Sequence, residues 1–315
     1  MSYVTRHWSS GPFVITAIVV MIWHEAGLRC LGRRSPPKPP SQRRLRSACF
    51  YGGLVTAVLA ADSPIDYWAG DYFFVHMIQH LLLMFAAPVL ILAGAPWQPL
   101  LGAMPARPGR GAAWSLRAGQ RLRWLRAAWA VLTRPWAATA LFSAVMIAWH
   151  IPQLFDLAAT NGAVHVWLML ASFFSAGVLF WLQFIPSPPL RPRMPPLSQA
   201  VALIATNAVM WVLAMSLSIF TQTSWYHVYA HRPGVRLPAF ADQQIGAAIL
   251  WVCGDFWAIP MLIVVIRRLI MADGGVEAAF DQILGRSATR FGWAGPRACP
   301  ARGGSAPAGP AREDA

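Results

Sequence analysis

His76 and His80 stand four residues apart in the run VHMIQHLLLM, a spacing that puts both imidazoles on one face of a helix. His150 closes an apolar run in AWHIP, and His165 opens the next one in GAVHVWLML. Neutral imidazole is the commonest metal ligand among side chains. A methionine accompanies three of these histidines: Met84 follows His80 by four residues, Met169 follows His165 by four, and Met146 precedes His150 by four. Each thioether then falls about 6 Å deeper on the same helix face. Imidazole above thioether is a soft donor set that suits Cu(I). The expected metal ligands are therefore His76, His80, His150 and His165, with Met84, Met146 and Met169 beneath them. Methionine also fills gaps in apolar cores, and a histidine at a helix end can bond a loop carbonyl, so spacing alone leaves a structural reading open.

Other polar residues carry weaker signals. His227 and His231 in WYHVYAH form a second pair at helical spacing, but in a connecting segment, where a solvated pair is the plainer reading. Glu25 and Asp255 fall inside apolar runs, as buried pairs, proton-relay groups or helix-packing glue do. The four cysteines, Cys30, Cys49, Cys253 and Cys299, make no C-x-x-C pair, so neither a thioredoxin-like motif nor a paired-cysteine zinc site is suggested.

These residues need elements to hold them, and composition says what kind. Of 315 residues, 57% are hydrophobic and 12% charged, against about 25% charged in an ordinary soluble domain. Several apolar runs reach the roughly 17–25 residues that span a bilayer. We expect an all-α integral membrane protein with seven transmembrane helices: Pro12–Leu31, Ser47–Ile65, Phe73–Ala95, Pro135–Ile151, Ala163–Ile185, Leu197–Phe220 and Gln244–Arg267. The net charge of +14 would otherwise suggest nucleic acid, but the basic residues sit between apolar runs. All but three of the 26 Lys and Arg, the exceptions being Arg6, Arg232 and Arg236, fall on the side that also holds the C-terminus. The positive-inside rule makes that side cytoplasmic and puts the N-terminus outside. The first apolar stretch runs into His24, Glu25 and a basic block rather than a cleavage site, so it is expected to stay as a span. Residues 1–271 form the membrane domain and 272–315 a cytoplasmic tail, largely disordered for its Gly, Pro, Ala and Arg content. The stretch Trp114 to Leu132 mixes Arg with Leu, Trp and Ala, as a basic amphipathic helix on the inner leaflet does.

The runs DSPIDYWAGDYFFVHMIQHLLLMFAAPVLILAGAP, AWHIP and ADQQIGAAILWVCGD, with the His165 region, resemble the polytopic CtaG family, assembly factors of caa(3)-type cytochrome c oxidase in bacterial plasma membranes. The likeness extends from about Val55 to Arg268. It implies a seven-helix protein without catalytic turnover that matures a haem–copper oxidase through copper supply. The implied partners are the oxidase's catalytic subunit, periplasmic copper chaperones and the lipid bilayer, with no nucleic acid. The motif residues, carried over by position, are Asp62, Pro64, His76, Gln79, His80, His150, Pro152, His165, Asp242, Gln243 and Gly246. One position departs from the pattern: the family commonly has a second histidine where this chain has Met169, which keeps a soft ligand but not a proton acceptor. Two other readings stay open. Histidines paired across helices can ligate a b-type haem, making a membrane oxidoreductase, and a copper transporter would use the same ligands.

Overall fold

The computed structural model describes residues 7–32, 40–102, 123–230, 232 and 235–271. The tail 272–315, the stretch 114–122, His231 and Cys299 lie outside the described residues.

Secondary structure follows the apolar runs. Helix α1 is Pro12–Gly32, α2 is Pro40–Ala61 and α3 is Pro64–Ala69. Helix α4 spans Phe73–Gly94, α5 is Trp97–Gly102 and α6 is Arg123–Leu132. Then come α7 (Pro135–His150), α8 (Pro152–Thr160) and α9 (Val164–Trp181). The chain closes with α10 (Pro196–Ser218), the short α11 (His227–Ala230) and α12 (Ala239–Ile270). Among the described residues, six helices are long and apolar enough to cross a membrane, and a bent pair raises the number to seven. Their outward residues are apolar: on α12, Val252, Phe256, Ile259 and Ile263 are more than half exposed. A stripe of that kind is costly in water and natural against lipid.

The expected spans are adjusted at three places. The second begins earlier than expected, and α2 with α3 counts as one candidate span, Ser41–Ala69. Ser63 punctuates it, accepting from Ile65 N and donating to Leu59 O. The fourth ends sooner. Sixteen residues of α7 cover about 24 Å, short of the roughly 30 Å hydrocarbon core. The chain then turns by 75° into α8. The cause is Pro152, which forces Ile151 out of helical geometry (φ −68°, ψ 124°). The last helix is 32 residues long with Pro260 inside it, longer at both ends than the hydropathy suggested.

Two of the helices contain π-helical turns, Leu82–Ala86 in α4 and Val164–Leu170 in α9. A π turn widens the helix by a residue and leaves carbonyls short of their usual partners. In α4 the freed Met84 carbonyl accepts from the Trp181 indole at 3.1 Å. Gly177 makes that approach possible, since a Cβ there would lie 2.5 Å from the same oxygen.

Buried carboxylates tie the helix ends together. Asp242, at the start of α12, accepts from the backbone N–H groups of Phe73 (2.7 Å) and Phe74 (2.9 Å). It thereby satisfies two orphan donors at the start of α4 and places negative charge at the positive end of its dipole. Gly246 lets α12 come this close, because a Cβ there would meet the Phe73 ring at 2.5 Å. Gln243 accepts from Trp225 N and donates to Leu217 O, clamping the α10–α11 connection onto α12. Asp62 does for α1 what Asp242 does for α4, accepting from Val14 N at 2.7 Å. Much of the motif expected from the sequence is thus helix-capping hardware.

Candidate functional site

With α4 capped by Asp242, its first turns carry His76, Gln79 and His80 into the bundle. Helix α7 brings His150 at its last residue, and the π turn of α9 brings His165. The four rings form one cluster. Ring centroids are 5.1 Å apart for His165 and His76, 4.4 Å for His76 and His80, and 6.3 Å for His80 and His150. His76, His80 and His150 are 2–3% exposed. The His165 side chain keeps 14% of its surface.

Hydrogen bonding sets which nitrogen carries the proton on two of these rings. Tyr229 is buried, and burial pushes its phenol well above its ordinary pKa, so it stays protonated. Its O–H donates to Ala69 O at 2.8 Å. The His76 Nδ1–H therefore donates to the Tyr229 oxygen, 3.1 Å away, and His76 Nε2 holds a bare lone pair. His150 Nδ1 faces the Met146 carbonyl at 2.7 Å. A carbonyl only accepts, so Nδ1 donates and Nε2 again keeps its lone pair. That lone pair points at Met77 Sδ, 3.4 Å away. His165 Nε2 lies 3.4 Å from Asp66 Oδ1, and the same oxygen accepts from Gln79 Nε2 at 2.7 Å.

What these rings lack matters as much. His76 Nε2 and both nitrogens of His80 are buried without a hydrogen-bond partner. Of seven such orphaned side-chain atoms among the described residues, the other four are amide oxygens, so every orphaned nitrogen lies in this cluster. Leaving a buried donor or acceptor unmade costs about 1–3 kcal/mol. His80 packs instead against the Phe173 ring at 4.1 Å. Among the described residues, no group of three or more His, Cys, Asp or Glu is placed so that those residues alone could hold a metal ion. The donors that come together are imidazoles and a thioether.

The sulfur that meets an imidazole is Met77, which the spacing argument passed over. Met84, Met146 and Met169 lie in the same buried core, and the structure engages their backbones: Trp181, His150 and Ser172 take the three carbonyls. Met77 carried a signal in its place between His76 and His80, three residues before the latter. Also missed were Tyr226 and Tyr229. In WYHVYAH the two tyrosines face the cluster. Tyr226 donates to His150 O at 3.2 Å and stacks on Phe73 at 4.7 Å. Burial raises its pKa as well. His227 is 91% exposed and pairs with Asp156, the solvated role expected of it. Asp255 accepts from Asn207 and Trp211, gluing α12 to α10.

Together, these helices make a multi-span membrane bundle with a buried cluster of imidazoles and one thioether at one end of it. Residues 22–272 match the model of the family described as cytochrome c oxidase caa3 assembly factor, and the chain belongs to that family. It is similar to an uncharacterized protein of Mycobacterium bovis, 24% identical over 84% of this chain and 39% of the relative. A protein of Mycobacterium leprae, also uncharacterized, is 28% identical over 81% of this chain and 37% of the relative. The chain thus spans well under half the length of these relatives. No solved structure matches it.

Proposed function

We propose that this protein is an assembly factor for a bacterial haem–copper cytochrome c oxidase, holding Cu(I) in the imidazole cluster for delivery to the oxidase's catalytic subunit. It does so without catalytic turnover, in the plasma membrane. The charge distribution supports an outside N-terminus, a cytoplasmic C-terminus and a cluster on the outer side, where periplasmic copper chaperones work.

The observation that carries this reading is the group of bare nitrogens. Three buried ring nitrogens without partners belong to the same cluster as His150 Nε2, whose lone pair faces a sulfur at 3.4 Å. For metal–nitrogen and metal–sulfur bonds of about 2.0 and about 2.3 Å, two ligands of one tetrahedral ion stand about 3.5 Å apart. Neutral nitrogens and a thioether, with the one adjoining carboxylate, Asp66, touching only the outer His165, favour a soft, singly charged ion over a divalent one. The edge-on contact of His76 and His80 at 4.4 Å favours an ion over a haem, whose plane has to lie between its two axial imidazoles. The family supplies the destination, a cytochrome c oxidase.

The test is Cu(I) stoichiometry in full-length protein purified anaerobically with reductant. The wild type is expected to bind Cu(I), and the His76→Ala/His80→Ala double variant to lose it while remaining folded. Unchanged binding in that variant overturns the site. In cells, deletion is expected to lower cytochrome c oxidase activity and leave other respiratory branches intact.

A further inference from the structure

The cluster has one closed side and one open edge. Phe155 is fully buried, lying 4.8 Å from His76 and 4.2 Å from Tyr226 by ring centroids. Tyr226 is fully buried as well and stacks on Phe73. This aromatic layer packs over His76. Exposure instead rises through His165, at 14%, to Asp66, at 33% of its side chain, against the 2–3% of His76, His80 and His150.

Along that gradient the donors form a continuous series. Asp66 Oδ1 contacts His165 at 3.4 Å. His165 abuts His76 and His76 abuts His80, at centroid separations of 5.1 and 4.4 Å. His80 leads to His150, whose Nε2 meets Met77 Sδ. The series runs from a half-buried carboxylate oxygen through nitrogens to a buried sulfur, hard to soft. The partners of Asp66 also hold its carboxylate in place. Gln79 Nε2 bonds both Asp66 Oδ1 and Ala60 O, at 2.7 and 2.8 Å, and so pins the carboxylate that pins His165.

We infer that Asp66 and His165 form the loading gate of this site: His165 receives Cu(I) at the exposed edge and passes it to His76 and His80, with Asp66 as the residue that positions His165. The inference rests on the copper-holding function proposed above. Asp66 Oδ1 stands 3.4 Å from His165 Nε2, where the carboxylates behind metal-binding histidines stand when the other ring nitrogen is the ligand. Each transfer is a ligand exchange. A nitrogen lone pair forms a new bond to Cu(I) as the previous donor's bond breaks and that donor recovers its own lone pair. The copper stays Cu(I) throughout, and no electron or proton is consumed. The orphaned Nε2 of His76, the next lone pair inward, accepts the ion without first breaking a hydrogen bond.

A gate changes the rate of loading and not the final amount bound. The experiment follows uptake of Cu(I), supplied as its acetonitrile complex under argon, by the full chain in detergent, in stopped flow and at equilibrium. Asp66→Asn is expected to slow loading by about tenfold or more, with final stoichiometry and thermal unfolding unchanged, and His165→Phe to slow it at least as far. Asp66→Glu is expected to restore part of the rate. Wild-type loading rates in both variants overturn the gate while leaving the copper site standing. Lost stoichiometry in folded Asp66→Asn also overturns it, because Asp66 then holds the resting site rather than its entrance. A wild-type protein that binds no Cu(I) at all removes the proposed function first, and the gate with it.

Discussion

His24 and His80 are both buried histidines on apolar helices, 2% and 3% exposed, and their surroundings are opposite. His24 Nδ1 meets the Tyr51 hydroxyl at 2.9 Å, and that hydroxyl donates to Glu25 Oε1. The ring also packs on Phe50. These bonds close a small network between α1 and α2 and leave little for a ligand to add. His80 has aromatic packing on Phe173 and no partner for either nitrogen. The Asp242 caps belong with His24: a buried charge whose bonds all go to the fold. Burial of an ionisable group is therefore a poor guide to function in this bundle. What separates the two kinds of site is whether the polar atoms are already spent.

That contrast is open to direct attack. The largest expected effect is on His80→Leu. Cu(I) affinity should fall by more than the about 10–100-fold typical of losing an outer-shell partner. Thermal unfolding of the metal-free protein should hold or improve, because an unmet polar group costing about 1–3 kcal/mol is gone. A marked loss of stability in the metal-free variant would place His80 with His24 and break the comparison.

Asp242→Ala should show the reverse pattern. Two backbone bonds to a charged acceptor, at about 1.5–3 kcal/mol each, make a stability loss of at least about 3 kcal/mol the expected result, read as a lower unfolding midpoint. Asp242→Asn should recover part of it, since one amide oxygen still accepts. Any copper that the folded fraction of either variant binds should match the wild type in affinity.

Smaller still is His24→Leu, which removes one hydrogen bond and should cost about 1 kcal/mol with Cu(I) binding unaltered. The smallest effect is expected for His227→Ala. Its side chain is 91% exposed, and exposed positions of this kind change stability by about 0.5 kcal/mol or less. Equilibrium copper titration and unfolding on these five variants and the wild type would rank all these effects together.

The sequence by itself determined the apolar spans and which of the key residues stand at their ends. Apolar runs long enough to cross a bilayer are local features, and so is the spacing that puts His76 and His80 on one face. His150 and His165 were legible for the same reason, each standing at the end of an apolar run. The tertiary structure decided which donor atoms face one another, because those contacts join residues far apart in the chain: Tyr229 reaches His76 across 153 positions, and Met77 reaches His150 across 73. Hydrophobic periodicity carries no information about such partners. Nor does it reveal the π turn that carries His165 and Met169, which yields the same apolar pattern as an α-helix. The roles of Asp242 and Gln243 were hidden likewise, since a carboxylate capping another helix's first turn looks, in one dimension, like any acid at a membrane boundary. Whether a buried nitrogen is satisfied depends on every group packed around it, and only the assembled bundle brings those groups together.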